Sequence, residues 1–343
     1  MNQGTRTRAV RGFIGSALLG SVLSVGVSTG AMAAPSCTST GALDRDGTPL
    51  TARIVNPAAT VRGRVDATGC SVGVYFGQGT GRVEGADIFG ARYYGVLVDG
   101  NVNNVAVDVR GSRVHDVGDT PITASRHGQG IAYRSFDGGT ARGTVHGNTV
   151  WNFQEAGINE TGPGSTVTID DNHVTGRGAQ GVISQNGIQV IFGAHGTVRG
   201  NEIRDLRFTG PNGGIGVIVV GGPSYDQPYT RGTLIERNEI TSADVGVVVF
   251  EVDLDYLPPA QPTNVVIRNN VIVNRDLTNH EGWDGVSVGY QVGILLDGHR
   301  DQAIDNTIIG RGYSQAYCGA AAICLPIDTD AELDPILRDN HIR

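Results

Sequence analysis

From about residue 60 onward, apolar positions recur at a spacing of two within short runs, and polar turn residues separate the runs. That spacing belongs to strands, and no stretch carries a helical stripe. One seven-residue pattern returns nine times. It reads Arg-Val-Glu-Gly-Ala-Asp-Ile (82–88), Asp-Val-Arg-Gly-Ser-Arg-Val (108–114), Thr-Val-His-Gly-Asn-Thr-Val (144–150) and Thr-Ile-Asp-Asp-Asn-His-Val (168–174). It continues as 197–203, 234–240, 266–272, 302–308 and 336–342. Each copy has an apolar residue three before a pivot and Val or Ile two after it, and the pivot is Asn in seven of nine: Asn148, Asn172, Asn201, Asn238, Asn270, Asn306 and Asn340. Between pivots a second motif, Gly followed by an aliphatic, appears at Gly73, Gly95, Gly130, Gly157, Gly187, Gly214, Gly246 and Gly293.

A repeat that cannot bury its own apolar face must stack on its neighbours. Piled one strand spacing apart, about 4.8 Å, the Val and Ile positions become continuous columns, and the Asn pivots become a ladder of stacked amides. The chain is therefore expected to be all-β: a single-stranded right-handed parallel β-helix with capped ends and projecting loops. Coil lengths differ because loops differ. The largest inserts are 115–129, 204–213, 220–232, 251–263 and 273–291, and 220–232 and 251–263 follow the same strand in consecutive coils, so they should form one wall of a groove.

The ends break the pattern. Residues 1–33 read as a signal peptide: Arg6, Arg8 and Arg11, an apolar stretch from Phe13 to Val27, and Ala31-Met32-Ala33 for cleavage. Residues 34–70 are expected to form an N-terminal cap and the entry to the first coil, 71–310 the coils, and 311–343 a C-terminal cap with the last rung. The four cysteines fall at the two ends, and proximity suggests the pairs Cys37–Cys70 and Cys318–Cys324, as suits an exported chain.

Composition narrows the partners. All 26 basic residues are Arg, so lysine chemistry is excluded, and losing Arg6, Arg8 and Arg11 takes the net charge from −8 to −11. An acidic chain is a poor partner for nucleic acid or anionic membranes, and the apolar leader is too short to insert stably.

The repeats resemble those of the right-handed parallel β-helix superfamily, which includes pectate lyases, polygalacturonases and alginate epimerases. The likeness is greatest to uncharacterised secreted actinobacterial members. It covers roughly residues 61–310 and rests on Cys70-Ser-Val-Gly-Val-Tyr-Phe76, Arg126-His-Gly-Gln-Gly-Ile-Ala-Tyr133 and Gln185-Asn-Gly-Ile-Gln-Val190. The polygalacturonase pattern is missing: Asp170-Asp171 looks like its paired Asp, but Asp171 precedes the Asn172 pivot and reads as a turn residue. The epimerase Asp-Pro-His-Asp signature is missing too. The resemblance thus implies a fold and a carbohydrate setting, and carries over no catalytic residue.

Candidate chemistry comes from the residues themselves. Glu251, Asp253 and Asp255 alternate out of a strand, and i, i+2 carboxylates lie roughly 7 Å apart, inside the window of about 5–9.5 Å used in glycoside hydrolysis. The same trio could bind Ca²⁺. Tyr225, Asp226, Tyr229 and Tyr256 suit sugar contacts, as does Trp283 beside Asp284. Arg126 and His127 are a candidate cation and base. Glu160 falls where alternation predicts an inward side chain, which would raise its pKa; if the strand has already ended there, Glu160 points to water. The favoured expectation is a secreted enzyme that hydrolyses a polysaccharide with paired carboxylates and needs no cofactor. The alternatives are a Ca²⁺-dependent lyase, a non-catalytic carbohydrate-binding β-helix, and an isomerase or cyclase of a small molecule.

Overall fold

Gly73, Gly95, Gly130, Gly157, Gly187, Gly216, Gly246 and Gly293 stand one over another, and each faces the carbonyl oxygen of the next coil. A Cβ on any of them would lie 2.4–2.7 Å from that oxygen. The Gly–aliphatic motif exists because successive coils approach too closely there for a side chain. At the sixth coil the column uses Gly216, not the Gly214 singled out by sequence. In this computed structural model, residues 36–210, 213–257, 259–277, 289–318 and 322–343 are described, without the side chain of Tyr256.

The strands that carry this column are Val72–Phe76, Tyr94–Asp99, Gln129–Arg134, Ala156–Thr161, Asn186–Ile191, Ile215–Gly221, Val245–Glu251, Gly289–Asp297 and Ala322–Thr329. They pair in parallel with their successors in one 11-stranded sheet, here the first sheet. The other strands form an 18-stranded sheet that turns a corner at the Asn pivots. On one side of the corner Val145, Ile169, Val198, Ile235 and Ile267 are in register; on the other Val150, Val174, Ile203, Ile240 and Ile272 are. All ten are fully buried.

At the corner each pivot Asn side chain between Asn148 and Asn340 does three things. Its Oδ1 accepts from the backbone N–H and the Nδ2 of the preceding pivot; its Nδ2 donates back to a main-chain carbonyl and on to the next pivot. The bonds from Asn148 through Asn172, Asn201, Asn238, Asn270 and Asn306 to Asn340 measure 2.9–3.0 Å. Ser112 occupies the pivot one coil earlier, its N–H on Asn148 Oδ1 at 2.9 Å. The ladder satisfies donors and acceptors that the dry core would otherwise strand.

The ends differ from each other. Thr38–Leu43 and Pro49–Val55 form an antiparallel hairpin whose second strand extends the first sheet, and Cys37–Cys70 ties it to the first coil. Leu50 and Ala52 pack with Val72, Tyr75, Tyr94 and Leu97 on the outer face. Within 311–334, Ala322–Thr329 is a further rung, joined to the preceding turn by Cys318–Cys324. Leu337 and Ile342, core positions of the last coil, are 45% and 58% exposed. No helix among the described residues is long and apolar enough to cross a membrane.

Candidate functional site

The outer face of the first sheet has three columns of side chains, and their chemistry changes along the stack. One column runs Tyr94, Gln129, Ala156, Asn186, Ile215, Val245 and Val292. The next runs Leu97, Ala132, Asn159, Gln189, Ile218, Val248 and Leu295, and the third Asp99, Arg134, Thr161, Ile191, Val220 and Phe250. The middle coils therefore carry amides and charges where later coils carry aliphatics. Within that tract Gln129 Nε2 donates to Glu155 at 3.0 Å and Asn159 Nδ2 to Gln129 Oε1 at 2.8 Å. Asn159 Oδ1 and Asn186 Oδ1 are buried with no hydrogen-bond partner.

Beside the tract, the hairpin loop carrying residues 44–46 leans over the sheet. Tyr94 Oη donates to Asp44 at 2.5 Å; Arg134 Nη2 donates to Asp99 at 2.6 Å and to the Leu43 carbonyl at 2.8 Å. Burial, and Asp44 next to it, push the Tyr94 hydroxyl far above the usual tyrosine range. The loop and the insert 115–129 enclose a cleft of about 350 Å³ lined by Asp44, Arg45, Asp46, Arg92, Tyr93, Ser125, Arg126 and His127.

His127 is held there from two sides. Its ring stacks on Tyr93, centroids 4.3 Å apart, and its Nε2 lies 3.0 Å from Asp119 Oδ2. Partial burial pushes the Asp119 carboxyl up, but hydrogen bonds from Thr123, Arg92 and His127 outweigh it and hold the group at about 2. Asp119 therefore stays ionised and fixes the imidazole, while Arg92 also lies 5.5 Å over the Tyr93 ring. Of the residues singled out by sequence, Arg126 and His127 are thus brought together on one cleft.

The proposed carboxylate trio is not brought together. Alternation continues inward through Val247 and Val249 to Glu251, which is fully buried, so it cannot share a face with the loop residues. Its Oε2 accepts from Thr230 N–H at 3.0 Å, and burial raises it to about 9, with nearby Asp301 adding to the rise. The strand ends there. Asp253 caps a short turn at Leu254–Tyr256, accepting from Leu254 N–H at 2.8 Å, and Asp255 is exposed at positive φ. Glu160 does point inward as alternation predicts; it is fully buried and raised to about 8 by desolvation, which makes it a core carboxyl away from any substrate and corrects its catalytic assignment.

The same geometry removes Glu251, Asp253 and Asp255 as a Ca²⁺ site. Among the described residues the one set of three close ligand types is His146, Asp170 and Asp171, at the outer corner beside the pivots. There Asp170 also meets Arg199 at 3.4 Å, in a row of alternating charge. Asp171 has positive φ, the turn conformation expected of it.

The inserts 220–232 and 251–263 do lie side by side: Ser224 Oγ donates to the Asp253 carbonyl, and Tyr225 lies 6.3 Å from Phe250 and 6.0 Å from Phe192. Asp226 ends its turn at positive φ and faces solvent. Tyr229 is half-buried beneath Arg231, and burial next to Asp253 pushes its hydroxyl up to about 12. Trp283, Asp284 and the Tyr256 side chain lie outside the described residues.

Sequence reading passed over Asp44, Tyr93, Asp119, Gln129, Glu155, Asn159, Asn186 and Gln189. The signal was present for Asn159, Asn186 and Gln189, whose equivalents two coils on are Ile218, Val245 and Val248. Asp44 and Asp119 had no such signal, because long-range folding of loops brings them in.

Residues 59–226 match the family described as right handed beta helix region. The chain is a member of the right-handed parallel β-helix superfamily, and the coils continue past the match to Ile342. No curated protein matches it.

Proposed function

We propose that this protein is an exported enzyme that cleaves a carboxylate-bearing polysaccharide or oligosaccharide by elimination, with His127 as the base. The observation that carries the reading is the imidazole held between Tyr93 and Asp119 on a cleft that also presents Arg45, Arg92 and Arg126. The arginines would hold and neutralise the uronate carboxylate, which acidifies the adjacent C–H. His127 would take that proton; the C–H pair becomes the new double bond, the glycosidic C–O bond beta to the carboxylate breaks, and the leaving oxygen is protonated by water. Asp119 acts as a positioning residue for the imidazole. Hydrolysis by Glu251 and Asp253 loses its support because one carboxyl is in the core and the other caps a turn. The paired disulfides suit an oxidising, extracellular setting.

The test is a panel of uronate-containing polysaccharides assayed for absorbance of unsaturated sugars and for reducing ends, with wild type and His127→Gln. Unsaturated products that vanish in the variant support the reading. Reducing ends without unsaturation point to hydrolysis and overturn it, as does full activity in the variant.

A further inference from the structure

The amide tract ends abruptly. Between Gln189 and Ile218, and between Asn186 and Ile215, one step along the stack replaces a carboxamide with an aliphatic. For the next three coils every outward position on this face is apolar through Leu295: Ile215, Ile218 and Val220, then Val245, Val248 and Phe250, then Val292 and Leu295. The apolar patch closes again at Asp297, and at Asp328, which accepts from Tyr290 Oη at 2.7 Å. Val245, Val248 and Val292 are buried within the patch, and solvent reaches it at half-buried Ile215, Ile218 and Leu295. The three rungs of the patch span two strand spacings, roughly 10 Å. Phe192, Tyr225 and the wall formed by the two neighbouring inserts border it on one side.

We propose that the outer face of the first sheet binds an amphipathic glycoside, with the sugar on the Gln129–Gln189 tract and an alkyl chain along Ile215, Ile218 and Leu295. Two observations converge on this occupant. The polar tract holds carboxamide oxygens, on Asn159 and Asn186, that are buried and lack a donor, as sugar hydroxyls would provide. The aliphatic patch continues from that tract without a break, so one ligand lying along the stack meets both. A wholly polar polysaccharide would leave the patch wet, and a bare lipid would leave the amides unpaired. The inference deepens the proposed function by naming the substrate class, and rests on it for the acidic sugar.

The test uses butyl, octyl and dodecyl glucuronide below their micelle concentrations, titrated calorimetrically into the full mature chain. Affinity is expected to rise roughly threefold per added methylene over the first several. In Ile218→Thr/Leu295→Thr, which puts β-branched residues in the strands, that dependence should flatten while butyl glucuronide binds as before; Ile215→Thr serves if the double variant does not fold. Asn159→Ala should weaken all chain lengths equally. Chain-length-dependent binding by the wild type, with no unsaturated product from any uronate polysaccharide, would overturn the proposed elimination and leave this inference standing, so the two failures are told apart. Equal affinity for the three probes, or a chain-length dependence that survives the patch variants, overturns the inference.

Discussion

The carboxamide oxygen of Asn238 accepts two hydrogen bonds from Asn201, from its main-chain N–H at 3.0 Å and from Nδ2 at 2.9 Å. Asn238→Ala removes this acceptor, and both bonds with it, and leaves buried donors on Asn201. A loss of about 2–4 kcal/mol is expected, read as a lower urea midpoint at unchanged slope. A loss under about 0.5 kcal/mol, the range of ordinary surface changes, would show that the ladder contributes little.

Gly187→Ala puts a Cβ 2.6 Å from both the Gly216 oxygen and Ile203 Cγ2, with no flexible group to yield. It should cost several kcal/mol or prevent folding, roughly the size of a severe overpacking change. Gly181→Ala meets only the Thr209 hydroxyl and should stay within about 0.5 kcal/mol. Comparable melting temperatures for the two variants would refute the close-approach explanation of the column.

Glu160, at about 8, and Asp301, at about 7, are core carboxyls raised by desolvation. A raised carboxyl pKa means the folded state holds the proton more tightly than the unfolded chain. Stability is therefore full below the unfolded carboxyl pKa, near 4, and falls as pH rises toward 8. Glu160→Gln should flatten the melting temperature between pH 5 and 8 by about a few degrees relative to wild type. An unchanged slope would place the proton linkage elsewhere.

If the cleft is the working site, His127→Gln should lower turnover about 100-fold or more, Asp119→Asn should lower it with a shifted pH profile, and Glu251→Gln should leave it intact. EDTA should have no effect, since the acidic trio does not converge. Loss of activity in Glu251→Gln with an unchanged melting curve would return that residue to the mechanism.

Replacing Cys37 and Cys70 by Ser frees the hairpin from the first coil. The expected cost is about 2–4 kcal/mol, together with weaker substrate binding, because the loop that holds Asp44 against Tyr94 hangs from that hairpin. A variant that loses stability but keeps affinity would mean the loop is held by Asp44 and Arg134 alone.

The shaft was legible because its rule is local. An Asn pivot, an aliphatic on either side and a Gly at the close approach each serve one coil, and repetition states the rule many times. The proposed carboxylate site failed on the same rule read one residue too short: the alternation that puts Val247 and Val249 inside also puts Glu251 there. Alternation put Glu160 inward, a strand ending before it would have turned it to water, and the strand runs on through Thr161 with Glu160 buried. The cleft was half legible. Arg126 and His127 stood out, but Asp119 reaches His127 only because the insert folds back, and Asp44 only because the hairpin does. Neither contact leaves a period in the sequence.

The glycine column makes rungs, not residues, the unit of size in this protein. Nine stations from Gly73 to Pro326 fix a rise of roughly 38 Å at the strand spacing, whether a coil is as brief as Gly73–Gly95 or as long as Gly246–Gly293. Added chain can only travel sideways, so insertions widen the molecule at chosen heights without disturbing the vertical distance between the cleft and the aliphatic patch. Loops here can diversify freely while two sites on one wall keep their separation.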